Sequence, residues 1–293
     1  MTADVPALSY AIVTPARNER DNLVRLAQSV AGQRVRPTYW VIVDDGSDDG
    51  MDAVAEELSR RHDWIVVIGT GETPDALAEG RRLGRDLLAF RRGLTALPAP
   101  VDIFVKVDAD TSFDPDYFAR LLERFADQPD LGIAGGSCYE LREGRWERIK
   151  VSGSHPRGAS RAYRWALLKD VFELEPELGW DGVDEVMAEL RGYRTAGFHD
   201  LGFRHHRKVG EREGRIRAGS ALGRQAWYMG YRPTYLVLRA VYRARENVAS
   251  LAMVWGYVAA AVTRAPRCPH PLVIRRIRAA QRLRLVVRRR GWT

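Results

Sequence analysis

Three groups of acidic and polar residues carry the chemistry that this sequence could perform. Pro15-Ala16-Arg17-Asn18-Glu19 follows an apolar run at 8–14, Asp44-Asp45-Gly46-Ser47-Asp48-Asp49-Gly50 follows one at 39–43, and Asp108-Ala109-Asp110 follows one at 101–107. Each group alone has a structural explanation, since Asp-Gly-Ser makes a turn and a helix N-cap and an Asp-x-Asp pair is common on surfaces. Together, at one topological position, they would crowd carboxylates that repel and therefore need a cation or hydrogen-bond donors to coexist. A divalent ion held by a few carboxylates keeps open positions for phosphate oxygens. The chain has neither G-x-G-x-x-G after its first strand nor G-x-x-x-x-G-K-[ST], which argues against hydride transfer and against a P-loop NTPase.

The elements that would position these residues are legible as periodicity. LSYAIVT (8–14), YWVIV (39–43), WIVVI (64–68) and VDIFVKV (101–107) read as strands. Leu23, Leu26, Ala27 and Val30 recur at helical spacing, and helical stretches are expected at 52–61 and 76–96. Strand alternating with helix implies βαβ units and a largely parallel sheet, whose ligands bind beyond the carboxyl ends of the strands. LGIAGG is a further strand-like run, and its Gly135-Gly136 either turns the chain or lets a substrate approach the backbone closely.

At 293 residues the chain can form one large domain, or a domain with an appendage. A hydrophobic content of 45% with 29% charged residues excludes a largely disordered protein. Cys138 and Cys268 are too few and too distant for a disulfide scaffold or a thiolate zinc cluster, which points to a reducing compartment. MTADVPALSYAIV lacks the basic and apolar pattern of a secretory signal, so a cytoplasmic location is expected. The net charge of +8 is unevenly placed: no acid follows Glu246 while ten arginines do, leaving 1–246 at −2. Such a tail could meet nucleic acid, an anionic membrane or an acidic partner. Acidic strand ends in the body disfavour nucleic acid. The apolar run 248–263 is shorter than the ~20 residues of a typical span, leaving a buried helix, an in-plane helix or a short span. Flanking arginines with Trp255 and Tyr257 favour the membrane surface. IRRIRAAQRLRLVVRRR reads as a cationic amphipathic helix, with Ile274, Ile277, Leu285 and Val286 among its apolar positions.

YAIVTPARNE, WVIVDDGSDDG and IFVKVDADTSF, followed by HPRGASRAYRW (155–165), GWDGVDEVMAELRGYRT (179–195) and HDLGFRHHR (199–207), resemble inverting nucleotide-sugar glycosyltransferases of family 2, in their bacterial surface-polysaccharide branch. The resemblance implies an α/β glycosyltransferase A-type fold, a Rossmann-like, mostly parallel mixed sheet flanked by helices. It implies a catalytic domain over 1–235, with 236–293 as a helical basic tail peripheral on the inner face of the membrane. Thr14, Pro15, Arg17 and Glu19 would line the nucleotide pocket, and Asp45, or Asp44, would meet the base edge. Ala89–Gly93 would form a loop over ribose and diphosphate, bringing Arg92 and Gly93 to the donor, although Arg91 stands where the family usually has a small or amide residue. Asp108, Ala109 and Asp110 match the D-x-D motif, with Asp110 on Mn²⁺ or Mg²⁺ and Asp108 on ribose or metal-bound water. His205 or His206 would complete the metal shell or touch the diphosphate, and Gly135 and Gly136 would adjoin the donor. Arg157, Gly158 and Trp180 would lie on the acceptor side. Asp184, at a helix start after Gly182, is the expected general base, with Asp181 and Glu185 as alternatives. The expected donor is a UDP-sugar and the acceptor a saccharide or lipid-linked glycan. A polyprenyl phosphate acceptor, already an anion, would need less help from a base. An Arg-rich nucleic-acid-binding protein is the competing reading from another class.

Overall fold

The four apolar runs become the left half of one sheet. In the computed structural model, which describes residues 8–71, 84–149, 155–207, 214–245 and 247–282, these are β1 (Tyr10–Ala16), β2 (Tyr39–Asp44), β3 (Ile65–Gly69) and β4 (Ile103–Val107). They pair in parallel in the order β3-β2-β1-β4. Side chains alternate along each strand, so Ile12 and Ile42 enter one core layer and Val13 and Val43 the other. The sheet continues through β8 (Ser160–Arg164), β6 (Leu131–Arg142), β9 (Arg194–His205) and β5 (Thr111–Phe113). β8 is antiparallel to both neighbours, and this reversal brings the chain after β4 beside the start of β8. β7 (Arg145–Arg148) pairs with β6 through the two-residue turn Glu143-Gly144, both with positive φ, as a tight hairpin turn requires.

Helices cover both faces. α1 (Arg20–Ala31), α2 (Met51–Arg61) and α4 (Tyr117–Asp127) close one, and α1 buries the four residues whose spacing marks it as helical. α3 (Arg85–Thr95), α5 (Leu168–Glu173) and α6 (Trp180–Leu190) close the other. The expected helix at 76–96 is thus observed from Arg85 onward, and its earlier part lies largely outside the described residues.

The C-terminal third differs from its sequence reading. It contains α7 (Arg215–Tyr228), α8 (Pro233–Ala244), α9 (Ala252–Val262) and α10 (Pro271–Ala280). α7 and α9 cross at glycine contacts: a Cβ on Gly223 would lie 2.0 Å from the Met253 carbonyl, and one on Gly256 2.0 Å from that of Ser220. Residues on both sides of position 235 therefore share one packing unit. In α10, the described part of the run read as a cationic amphipathic helix, Val273 and Ile277 fill the core beside α6. Leu285 and Val286 lie outside the described residues. The run 248–263 folds as one 3₁₀ turn (Val248–Leu251) and α9, and no helix among the described residues is long and apolar enough to cross a membrane.

Candidate active site

The loops after β1 and β2 are tied together by their own polar side chains. Asp49 accepts the backbone N–H of Met51 with one oxygen and that of Arg20 with the other, each at 3.0 Å, so one carboxylate supports the starts of two helices. Asn18, at φ 54, accepts from the Asp48 N–H. Asp44 accepts from both the N–H and the hydroxyl of Ser47, at 3.0 and 2.6 Å, which commits that oxygen to the turn. Asp45 instead receives Nε and Nη2 of Arg85 at 3.2 and 3.0 Å. This pair opens onto a cleft of about 520 Å³ whose walls include Ile68, Thr70, Leu88 and Arg92. Pro15 and Arg17 are half-buried at the end of β1. Thr14 faces inward, fully buried, its hydroxyl accepting the Trp40 indole N–H at 2.9 Å.

Three further expectations change here. Ala89–Gly93 belongs to helix α3 and not to a loop. Arg92 lines the cleft and donates to the Thr70 carbonyl, but Gly93 is a packing residue, since a Cβ there would meet Val13 at 2.3 Å and Val43 at 2.9 Å. Gly135 and Gly136 are likewise filled by protein: a Cβ would fall 2.5 Å from the Ser160 carbonyl and 2.3 Å from that of Leu201, leaving no room for a ligand on that side.

The Asp-x-Asp pair follows β4. Asp108 accepts from Lys106, whose side chain is almost wholly buried and whose Nζ also reaches the Gly158 carbonyl at 3.3 Å. Ala109 is buried between the two acids. Asp110 faces the end of β9, with Oδ1 3.2 Å from His205 Nε2 and Oδ2 3.6 Å from Arg207 Nη1. Arg207 also pairs with Glu19 at 2.5 Å, linking this edge to the loop after β1. His205 is the last residue of β9, and its register opposite Thr111 and Glu140 delivers it to the acids. One potential ligand atom from each of Asp108, Asp110 and His205 lies within 4.8 Å of the others. Two carboxylates and an imidazole form a donor set that suits Mn²⁺, and the oxygens also suit Mg²⁺. His205 Nδ1 points toward Glu140 Oε1 at 3.9 Å, and both atoms are buried without a hydrogen-bond partner among the described residues. His206 faces elsewhere, 2.8 Å from the Ser112 hydroxyl and edge-on to Trp146. Burial, helped by Arg25, pulls its imidazole down to about 4.

The acidic segment of α6 is organised by a residue that the sequence reading passed over. Arg161 of β8 is fully buried and donates to Asp184 at 2.8 and 3.0 Å, to Glu185 at 2.8 Å, to the Asp181 carbonyl at 2.7 Å and to the Pro156 carbonyl at 2.6 Å. The Tyr163 hydroxyl donates to Asp184 at 2.6 Å. Burial pushes the Asp184 carboxyl up to about 6 against the pull of Arg161. Burial also raises Glu185, but Arg161 and then His155 outweigh it and hold that group below the ordinary range. α6 begins at Trp180, after Gly179 at φ 102, so Asp184 lies in its second turn and Asp181 in its first. The Asp181 carboxylate is half-buried and faces Gly158, where a Cβ would sit 3.5 Å from Oδ2. Arg157 stands half-buried, 3.9 Å from Glu140. Trp180 does not face the acceptor side; it is buried in the core beneath α6.

Arg161, Arg85 and Lys106 thus hold the acids in place, and in an arginine-rich chain only Lys106 carried a signal, as a charge within an apolar strand run. The chain is 30% identical over 151 residues to the polyprenol monophosphomannose synthase of Mycolicibacterium smegmatis, covering 50% of this chain and 53% of that protein. It is 29% identical over 133 residues to the dolichol-phosphate mannosyltransferase of Pyrococcus furiosus, covering 45% and 34%. These alignments span about half of the first relative and a third of the second. Among solved structures, the mannosyltransferase PcManGT from Pyrobaculum calidifontis, in complex with GDP-Man and Mn²⁺, shares the fold with a TM-score of 0.56 at 18% identity, covering 87% of this chain and 75% of that one. TarS of S. aureus in complex with UDP shares it with a TM-score of 0.51 at 17% identity, covering 74% and 64%. Residues 11–173 match the profile of Glycosyl transferase family 2, and the chain belongs to that family of glycosyltransferases.

Proposed function

We propose that this glycosyltransferase is inverting and divalent-metal-dependent, and that it moves a sugar from a nucleoside diphosphate to an acceptor carried at a membrane, a saccharide or lipid-linked glycan of surface polysaccharide synthesis. The observation that carries the reading is the convergence of Asp108, Asp110 and His205 within 4.8 Å, at strand ends like the one that bears Asp45, which Arg85 of α3 holds. Those three residues would hold Mn²⁺ or Mg²⁺, which when bound supplies positive charge to the departing diphosphate. The Asp45–Arg85 cleft would take the nucleobase, and Arg92 and Arg207 would stand beside the diphosphate. The acceptor oxygen bonds to the anomeric carbon as the bond from that carbon to the diphosphate breaks, and the acceptor proton passes to a carboxylate. We assign this work to Asp181, whose half-buried carboxylate lies beside Gly158. Asp184 is occupied on both oxygens by Arg161 and Tyr163, and Glu185 is tethered through Oε1 by Arg161 and His155.

A second reading has its own support: the Mycolicibacterium and Pyrococcus relatives are named for polyprenol and dolichol phosphate. An acceptor phosphate is already anionic, so little would depend on a base. A thermal-shift panel of UDP-, GDP- and dTDP-sugars with and without Mn²⁺ tests the donor class, because ligands of the native state raise its melting temperature. A UDP-sugar is the expected donor, and GDP-mannose, the ligand of the Pyrobaculum enzyme, is the first comparison. No metal-dependent shift with any nucleotide sugar would overturn the proposal.

A further inference from the structure

α9 is apolar around its whole circumference, but among the described residues protein covers only one side. Met253, Gly256, Tyr257 and Ala260 are buried, largely against α7. Leu251, Trp255, Val258 and Val262 recur at intervals of four, three and four, which aligns them on the opposite face, and they are 46%, 71%, 47% and 77% exposed. A helix hydrophobic on all sides belongs inside a core or in lipid. α8 repeats the arrangement: Leu236 and Ala240 are buried, while Val237, Leu238, Val241 and Tyr242 form an exposed stripe. Val248, 72% exposed, lies on the chain between the two helices. Nine of the eighteen large apolar side chains exposed among the described residues fall within 237–262, a concentration that scattered surface hydrophobes do not explain.

Charge selects the occupant. From Gly214 to Arg282 the sequence holds thirteen arginines and one acid, Glu246. Arg245 and Arg264 bracket the α9 stripe along the chain. A soluble acidic partner would use the charge but not the apolar stripes, and a second copy of this surface would oppose arginine to arginine. An anionic bilayer uses both: aliphatic side chains enter the acyl boundary, Trp255 and Tyr242 sit at headgroup level, and guanidinium groups meet phosphates. Eleven residues of α9 span ~16 Å at ~1.5 Å per residue, about half of a ~30 Å hydrocarbon core, so the helix must lie along the surface.

We infer that the exposed faces of α8 and α9, and not the basic helix α10, are the membrane-docking surface, seated in the plane of an anionic leaflet. The inference deepens the proposed membrane-borne acceptor and rests on that reading, but its test does not depend on turnover. The full chain is sedimented with vesicles of phosphatidylglycerol and phosphatidylcholine, or of phosphatidylcholine alone. Wild type should partition onto the anionic vesicles, and Trp255→Glu/Val258→Glu should lower that partition by at least about tenfold with an unchanged melting temperature. Val248→Glu/Val262→Glu, at still more exposed positions, should do the same, whereas Leu190→Glu, an exposed apolar position on α6, should not. Wild-type partition by both double variants would overturn the inference. So would a wild-type dimer in light scattering that these variants convert to monomers, because the stripes would then cover each other. Metal-dependent nucleoside diphosphate binding, measured on the same samples, separates the outcomes: if it persists without vesicle binding, only the docking surface fails, and if it is absent while vesicle binding holds, the metal-dependent donor reading fails and the docking surface stands.

Discussion

Arg161 and Asp184 form a wholly buried ion pair in which Nη2 and Nε each donate to a separate carboxylate oxygen, at 2.8 and 3.0 Å. The same guanidinium takes up the Asp181 carbonyl and the Glu185 carboxylate, so one side chain from β8 fixes the first two turns of α6. Asp184 is thereby a structural anchor, and the half-buried Asp181 is the acid left facing outward beside Gly158.

Breaking that pair should cost more than removing a surface bridge. Arg161→Met leaves Asp184 buried without its counter-charge, and a loss of about 3–5 kcal/mol is expected. Urea denaturation would measure it. Arg161→Met/Asp184→Leu should recover a large part of the loss, and equal instability of the single and double variants would show that the pair does not govern this packing.

Asp181→Asn should retain donor affinity and melting temperature while turnover falls ~10²–10⁴-fold, the usual contribution of a general base. Asp184→Asn should instead lower the melting temperature. Calorimetry with nucleoside diphosphate and Mn²⁺ gives the affinity, and product release under saturating donor gives the rate. Normal turnover by Asp181→Asn with a well-folded but inactive Asp184→Asn would return the role to Asp184. Small losses at all three acids would favour the polyprenyl phosphate acceptor.

His205 and His206 should separate cleanly. His205→Ala removes the imidazole 3.2 Å from Asp110 and should weaken Mn²⁺ binding by ~10-fold or more, as judged by the paramagnetic resonance signal of free Mn²⁺. Asp110→Ala should abolish metal-dependent donor binding. His206→Ala alters a contact with Ser112 and should leave the Mn²⁺ affinity unchanged. Equal effects at the two histidines would break the proposed ligand set.

Gly223→Ala tests whether the helices after position 235 are integral to the fold. The added methyl would fall 2.0 Å from the Met253 carbonyl and 2.7 Å from the Tyr257 nitrogen, both backbone atoms that cannot rotate away. A destabilisation of about 1–3 kcal/mol is expected from overpacking. A melting temperature equal to that of wild type would mean that α7 and α9 separate without cost.

The alternating strands, the helical spacing of Leu23, Leu26, Ala27 and Val30, and the acids beyond β1, β2 and β4 were legible in the sequence, because period and strand-end position are local properties of the chain. What only the tertiary structure decided was which of those residues face a ligand and which face protein. Gly93, Gly135 and Gly136 look alike as residues that permit close approach, but the close approach is by Val13 and by the carbonyls of Ser160 and Leu201. Asp181, Asp184 and Glu185 lie on consecutive turns of one helix, and they differ because Arg161, Tyr163 and His155 arrive from segments some twenty to thirty residues earlier. His205 reaches Asp110 through the register of β9 against β5 and β6, and no spacing along the chain encodes that register. The tail shows the same limit: α10 is amphipathic and α9 is apolar all round, but only packing decides that α10 spends its apolar side on the core while α9 keeps one face exposed. Local pattern specifies how a segment can fold, and the long-range partner specifies what each of its faces is for.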